Sequence, residues 1–452
     1  MNKFIYMVQE VVQNNLVNND PFEGISNLGF LPYEPVNTLP PNLVEYNILL
    51  EHLKNQDRIL FFDDLSKLPK YNEQQYYQNI NELDLLTVKY IYSVFSIFCH
   101  YYIWTNGVKD VKQKIPITLG GYWYYSAKRL GLPCVLTHAS VDLYNWKYVN
   151  KNEKFSLDNI ECINLLTAKE DEEWFYKIMI AIEGICGHLL YKIKNFNLEK
   201  QEVEQLLREI SEALDESTTV IKRLREKCDP NFFFNELRIF LSGGNNKNIF
   251  PNGIILEEIN SQPLNYTGGS AAQSTLFQVF DALFEIKHVD HGKDFLMEMR
   301  KYMPATHKQY LEEIEMQPKL KGFIEQSQDE ELILLFNTCL NKLEIFRGVH
   351  LNIVHQYIFK FIENKEQTEE NNNVNKDKGT GGTDPKEFLG SVIKNVGSTK
   401  IKYDNKKIER DIYVGLDDID SISRRDNFLT SYVNAYFVFL AITLSLVWLW
   451  RY

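Results

Sequence analysis

Nowhere in the 452 residues do two of the six cysteines form a CxxC pair. Their scatter (Cys99, Cys134, Cys162, Cys186, Cys228, Cys339) fits no zinc spacing. A disulfide framework and a cysteine-built metal site are thereby excluded, and the chain reads as a protein of a reducing, cytosol-facing compartment. Positive charge is short as well. Lys and Arg number 49 against 61 Asp and Glu, a net charge of −12, and there is no sustained basic stretch. Nucleic acid is therefore not an expected partner. The opening MNKFIYMVQEVVQNNLVNND lacks the unbroken apolar segment and small-residue cleavage site of a secretory signal; Phe4, Ile5, Val8, Val11 and Val12 suggest an amphipathic helix instead. No glycine-rich turn follows the phosphate-loop pattern GxxxxGK(S/T), and no internal repeat is visible.

What is abundant is apolar surface. The chain is 44% hydrophobic and 13% aromatic, enough for a large core and more than one domain. Residues 1–26 read as an extension with a helix, and 27–168 as a smaller helical or mixed N-terminal domain. Residues 169–395 read as a large all-α domain, so the fold class is mainly α. Within it, LEKQEVEQLLREISEALDESTTVIKRLREK puts Val203, Leu206, Leu207, Ile210 and Leu214 on one helical face. The polar, Asn- and Gly-rich residues 364–384 read as a mobile loop, and the charged residues 396–426 as a tether. Residues 427–450, NFLTSYVNAYFVFLAITLSLVWLW, carry no charge, with Arg424 and Arg425 before them and Arg451 after. As a helix they would span about 36 Å, against a hydrocarbon core of about 30 Å. The expectation is a single transmembrane helix anchoring a cytosol-facing protein. The run Tyr90 to Trp104, YIYSVFSIFCHYYIW, is shorter and carries His100, which favours a buried core helix.

Four features bear on chemistry. In LEIFRGVHLNIVHQYIFKFI, helical spacing from His350 reaches Leu343, Phe346, Ile353, Val354 and Tyr357, a continuous apolar face, whereas His355 falls on another side. A buried imidazole needs a hydrogen bond or a metal. Haem takes one axial imidazole from a rigid helix, and its propionates favour an arginine such as Arg347, one turn earlier. A core histidine satisfied by a backbone carbonyl is the commoner case. Arg238, inside FFFNELRIFLSGG, suits bidentate capture of a carboxylate in a dry pocket, although surface snorkelling is commoner. The turns LSGG, YTGGSAAQS and GTGGTD can bring backbone N–H groups close to a ligand. His188, in EGICGHLL, is flanked by small residues that leave room for one. No convincing acid–base pair stands out.

Taken in order, RIFLSGG, GGSAAQSTLFQVFDALF, MRKYMPATHKQYL, RGVHLNIVHQYI and KGTGGTD closely resemble the indoleamine 2,3-dioxygenase family of haem enzymes, and GFLP, GLPCVL and LYNW resemble its smaller N-terminal domain. The resemblance covers residues 27–395. It implies haem b, with His350 as the proximal iron ligand, Arg347 pairing with a propionate, and Ser270 and Ala271 beside haem and dioxygen. It implies an aromatic wall from Phe233 and Phe234, Arg238 on the substrate carboxylate, and Thr380 in a loop closing over the amino-acid end. His188 would lie near the indole nitrogen, and one of Tyr122, Trp123 and Tyr124 would line the pocket. The implied reaction opens the indole ring of L-tryptophan, or a related indoleamine, with both atoms of dioxygen. The product is N-formylkynurenine, at the first step of the kynurenine pathway. The rival is a haem protein on the same scaffold that binds or carries dioxygen without turnover. The resemblance further implies a monomeric catalytic domain whose partners are L-tryptophan and dioxygen; a membrane partner is expected from the apolar span 427–450, which lies outside the resemblance.

Overall fold

Short polar side chains start several of the helices by taking up free N–H groups of the first turn. Asp84 accepts from the Thr87 N–H at the head of α1 (Leu85–Trp104), and Asp329 accepts from Glu331 and Leu332 at the head of α6 (Glu330–Val354). Helix α2 (Ile117–Leu130) stops at Gly131, whose φ of 67° is the left-handed conformation that closes a helix. Helix α3 (Glu170–Asn195) opens with four acidic residues and ends with Lys192 and Lys194, matching the helix dipole at both ends. These elements belong to a computed structural model that describes residues 25–259, 261–366 and 385–402.

Helix α4 (Lys200–Lys222) buries Val203, Leu206, Leu207, Ile210 and Leu214, the face read from the sequence. It packs along α3 on one side and α6 on the other, and α7 (Pro385–Thr399) lies on α6. Helix α5 (Thr275–Leu283) is short and largely buried. Helix α1 is the expected core helix. Buried polar groups on it find partners inside the protein: Ser93 Oγ donates to the Ser140 carbonyl at 2.6 Å, and Ser96 Oγ accepts from Trp123 Nε1 at 2.8 Å.

Strand pairing is minor but joins distant parts of the chain. β1 (Lys114–Ile115) runs parallel to β4 (Ile255–Leu256), while β2 (Trp146–Tyr148) and β3 (Ile160–Cys162) pair antiparallel. The β1–β4 pair, and a main hydrophobic cluster running from Leu28 to Ile401, cross the position near 168 where the sequence suggests a boundary. The chain through Ile401 clusters as one unit.

The fold-class expectation needs one correction. Among the described residues no helix is long and apolar enough to cross a membrane. The most apolar long helix, α1, is covered on nearly all sides by the core rather than by lipid. The stretch 427–450 lies outside the described residues, so the transmembrane helix, the membrane partner and the anchored location drawn from it have no structural support. Residues 1–24, 367–384 and 403–426, which include the N-terminal extension, most of the expected mobile loop with Thr380, and most of the tether, also lie outside.

Candidate active site

Two adjoining cavities, of about 180 and 100 Å³, lie between α3, the end of α6, the 269–272 turn and α7. Both are walled by His138, Met179, Ala271 and His350. Their walls are mainly apolar. Phe175, Phe233, Phe295 and Tyr357 face the larger cavity, and Phe277 and Phe346 the smaller.

His350 reaches this seam because the helical phase of α6 holds to its end. Ile353, Val354 and Tyr357 line the larger cavity with it, and Phe346 lines the smaller. The imidazole has no hydrogen-bond partner among the described residues. Burial, reinforced by the charge of Arg347, pushes its pKa down to about 4, so it stays neutral with a lone pair available. One turn earlier, Arg347 is buried. Its Nη2 donates to Asp281 Oδ1 at 2.7 Å, while Nη1 has no partner among the described residues. Asp281 also accepts from His288 at 2.9 Å through Oδ2. Burial pulls the Asp281 carboxyl upward, but the Arg347 charge and the His288 bond outweigh it, leaving it below the usual carboxylate range.

The 269–272 turn is held by a close backbone approach. A Cβ on Gly268 would stand 1.9 Å from the Leu241 carbonyl oxygen, and that oxygen accepts from the Gly269 N–H at 2.9 Å. Ser270 then caps the 3₁₀ turn Ala271–Gln273, which sets Ser270 and Ala271 on the cavity wall. Phe233 sits on a π-helical turn, Phe233–Leu237, and meets Phe175 at 5.0 Å and Tyr357 at 5.8 Å between ring centres. Further π turns at Ala139–Leu143 and His355–Phe359 also border the larger cavity, through Val141 and Tyr357. Such bulges re-aim side chains that a regular helix would turn away. Phe234 and Arg238 stand outside the cavity walls. Phe234 stacks on Phe361 at 5.0 Å, and the Arg238 guanidinium lies 5.2 Å from the Phe234 ring centre. Burial lowers the pKa of Arg238.

Two groups of expected pocket residues lie away from these cavities. His188 is exposed, its Nδ1 3.0 Å from the Ile185 carbonyl, and lines neither cavity. It is nine residues from Met179, half a turn out of phase with the wall-forming face of α3. The small residues around it make room for the chain itself, since a Cβ on Gly187 would stand 2.1 Å from the Leu28 backbone. Tyr122 and Trp123 are committed to the core, Tyr122 to Asn79 and Trp123 to Ser96, and neither they nor Tyr124 line the cavities.

One group was missed. His138 lies buried between two carboxylates, Nδ1 2.6 Å from Asp142 Oδ2 and Nε2 2.9 Å from Glu183 Oε1, and Ser274 Oγ donates to the same Glu183 oxygen at 2.6 Å. Desolvation works against its charge, but the two carboxylates more than reverse this and raise its pKa to about 10. The available signals were Asp142 four residues after His138 and Glu183 alone within the apolar run IMIAIEGICG.

Among the described residues no group of three or more His, Cys, Asp or Glu side chains is arranged to hold a metal ion. A lone neutral imidazole at an apolar cavity suits instead a metal that brings its own equatorial ligands. Residues 20–398 match the sequence profile of indoleamine 2,3-dioxygenase. The chain belongs to the indoleamine 2,3-dioxygenase family. Relatives include indoleamine 2,3-dioxygenase 1 of Mus musculus, 33% identical over 304 residues (64% of this chain, 74% of that protein). They also include 6-hydroxytryptophan 2,3-dioxygenase of Fusarium equiseti, 30% identical over 319 residues (66% and 76%), and the myoglobin of Haliotis madaka, 30% identical over 264 residues (57% and 68%). Membership makes this a haem-dependent tryptophan or indoleamine 2,3-dioxygenase, an oxidoreductase whose cofactor is haem b. The residues present fit that group: an imidazole with a free lone pair, an arginine nitrogen without a partner one turn away, and apolar walls between them.

Proposed function

We propose that this indoleamine 2,3-dioxygenase opens the indole ring of L-tryptophan, inserting both atoms of dioxygen across the C2–C3 bond to give N-formylkynurenine. The observation that carries the reading is His350, neutral and without a hydrogen-bond partner where two apolar cavities meet, with Arg347 one turn before it. Haem, when bound, supplies the activation of dioxygen. His350 would hold the iron. Arg347 would take a haem propionate through Nη1, with Asp281 fixing the rest of its guanidinium. Phe233 and Tyr357 keep water from the reacting face, and Ser270 and Ala271 bring the 269–272 turn beside it. In a dry cavity of this kind each remaining polar contact is strengthened by the low local dielectric. Arg238, backed by the Phe234 ring, captures the substrate carboxylate; Thr380 lies outside the described residues.

The second reading, a haem protein that binds dioxygen without turnover, is favoured by the Haliotis similarity. An amino-acid clamp has no use in such a protein, which is why the enzyme is preferred. The test is haem loading and product formation together. His350→Ala should abolish haem retention, whereas His355→Ala should keep it, and haem-loaded wild type should convert L-tryptophan to N-formylkynurenine. Retention of haem by the His350 variant would refute the ligand assignment. Haem loading without product would favour the second reading.

A further inference from the structure

The cluster at His138 has more acceptor oxygens than its own hydrogen bonds use. Its two carboxyl groups are both walled into the protein: Asp142 is 5% exposed and Glu183 3%. A buried acceptor left without a donor is costly. Each carboxylate gives one oxygen to His138, and Glu183 also binds Ser274 through that same oxygen. The other two oxygens, Asp142 Oδ1 and Glu183 Oε2, are buried without a partner. Asp142 lines the larger cavity and Glu183 the smaller, with His138 in the wall of both. Arg347, on the wall of the smaller cavity, gives Nη2 to Asp281. Among the described residues neither Asp142 Oδ1 nor Glu183 Oε2 receives a donor, so each is open to one supplied by a ligand. Both ring nitrogens of His138 are engaged, so the imidazolium holds the carboxylates but cannot itself reach a ligand.

We propose that Asp142 and Glu183 form the acceptor for an N–H donor of the amino-acid substrate, with His138 as the residue that positions them. Tryptophan carries two such donors, the indole N–H and the α-ammonium, and an acidic acceptor pair suits either. The proposal rests on the reading of these cavities as the chamber for haem and substrate.

The test uses the full haem-loaded chain and two isosteric variants, Asp142→Asn and Glu183→Gln. Binding is read from the change in haem absorbance on adding ligand, and kcat and KM are measured in parallel. The probes are L-tryptophan, 1-methyl-L-tryptophan, which lacks the ring N–H, and indole-3-propionate, which lacks the ammonium. At least one variant should bind L-tryptophan about ten- to a hundredfold more weakly, the usual effect of losing a charge-assisted hydrogen bond, with unchanged haem content. One analogue should be indifferent to that substitution: 1-methyl-L-tryptophan if the ring N–H is the donor, indole-3-propionate if the ammonium is. His138→Gln should raise KM with less effect on kcat. Unchanged tryptophan binding in both variants overturns the proposal. So does equal weakening of all three ligands, or loss of haem or of the fold in both variants, each of which marks a purely structural cluster. Failure of the underlying reading is separately visible, as wild-type protein that takes up no haem.

Discussion

Replacing Arg347 by methionine should have two separable effects. Arg347 is 6% exposed and its partner Asp281 7%, so the guanidinium–carboxylate contact at 2.7 Å is a buried ion pair. Removing one side leaves the Asp281 carboxylate with His288 as its remaining side-chain contact, at 2.9 Å. One-sided disruption of a buried pair costs about 3–5 kcal/mol, and the His288 bond places the expected loss toward the lower end. Arg347→Met should also weaken haem binding about ten- to a hundredfold, because a charge-assisted hydrogen bond to a propionate is lost. In the double variant Arg347→Met with Asp281→Leu no carboxylate is stranded, so most of the stability should return while haem affinity stays low. The pH dependence has a definite sign. In the wild type Arg347 holds Asp281 below the usual carboxylate range against the pull of burial, so its contribution is present at neutral pH and lost in acid. In the single variant burial is opposed only by the His288 bond, so the folded carboxyl moves upward and the penalty should shrink as pH falls from 7 toward 4. Urea unfolding at several pH values, with haem titration of the same proteins, measures both effects. A double variant as unstable as the single one, or haem affinity recovering along with stability, would refute the division of roles.

The sequence made His350 legible because its signal is local and periodic. The face Phe346, His350, Ile353, Val354 and Tyr357 follows from 3.6 residues per turn, and the structure keeps that phase to the cavity wall. The buried face of α4 was legible for the same reason. His188 misled because small neighbours have two uses. A gap beside Gly187 could have admitted a ligand, but it admits the backbone at Leu28, some 160 residues away in sequence. His138 went unseen because its meaning comes from Glu183, 45 residues on, and from a π turn that carries Asp142. A π turn shifts side chains off the regular period, so periodicity is a poor guide to what it presents, although Tyr357, on another π turn, still reaches the wall. Long-range contact and irregular helix are where the polar chemistry of this cavity is built.

Arg238→Ala should retain a normal haem spectrum and raise the KM for L-tryptophan about ten- to a hundredfold. Tryptamine, which has no carboxylate, should be nearly unaffected, and equal losses for both would point to misfolding. A further prediction concerns acid stability and His100. Its Nε2 accepts from the Leu136 N–H at 2.8 Å and its Nδ1–H donates to the Phe240 carbonyl at 2.7 Å, so the neutral ring ties two segments together. Desolvation lowers its pKa from 6.5 to about 4, only partly offset by the bond to Phe240. Because the folded value is depressed, the unfolded chain binds the proton more readily between those limits. The contribution of His100 is complete above pH 6.5 and lost as pH falls toward 4, up to about 3 kcal/mol. His100→Gln cannot titrate, so its stability at pH 7 should be lower but its decline from pH 6.5 to 4.5 shallower than that of the wild type. Since Leu136 and Leu241, next to Phe240, line the larger cavity, haem release should follow the same acid profile in the wild type. Parallel unfolding curves across that pH range would show that another group governs acid loss, because no other change separates the two proteins.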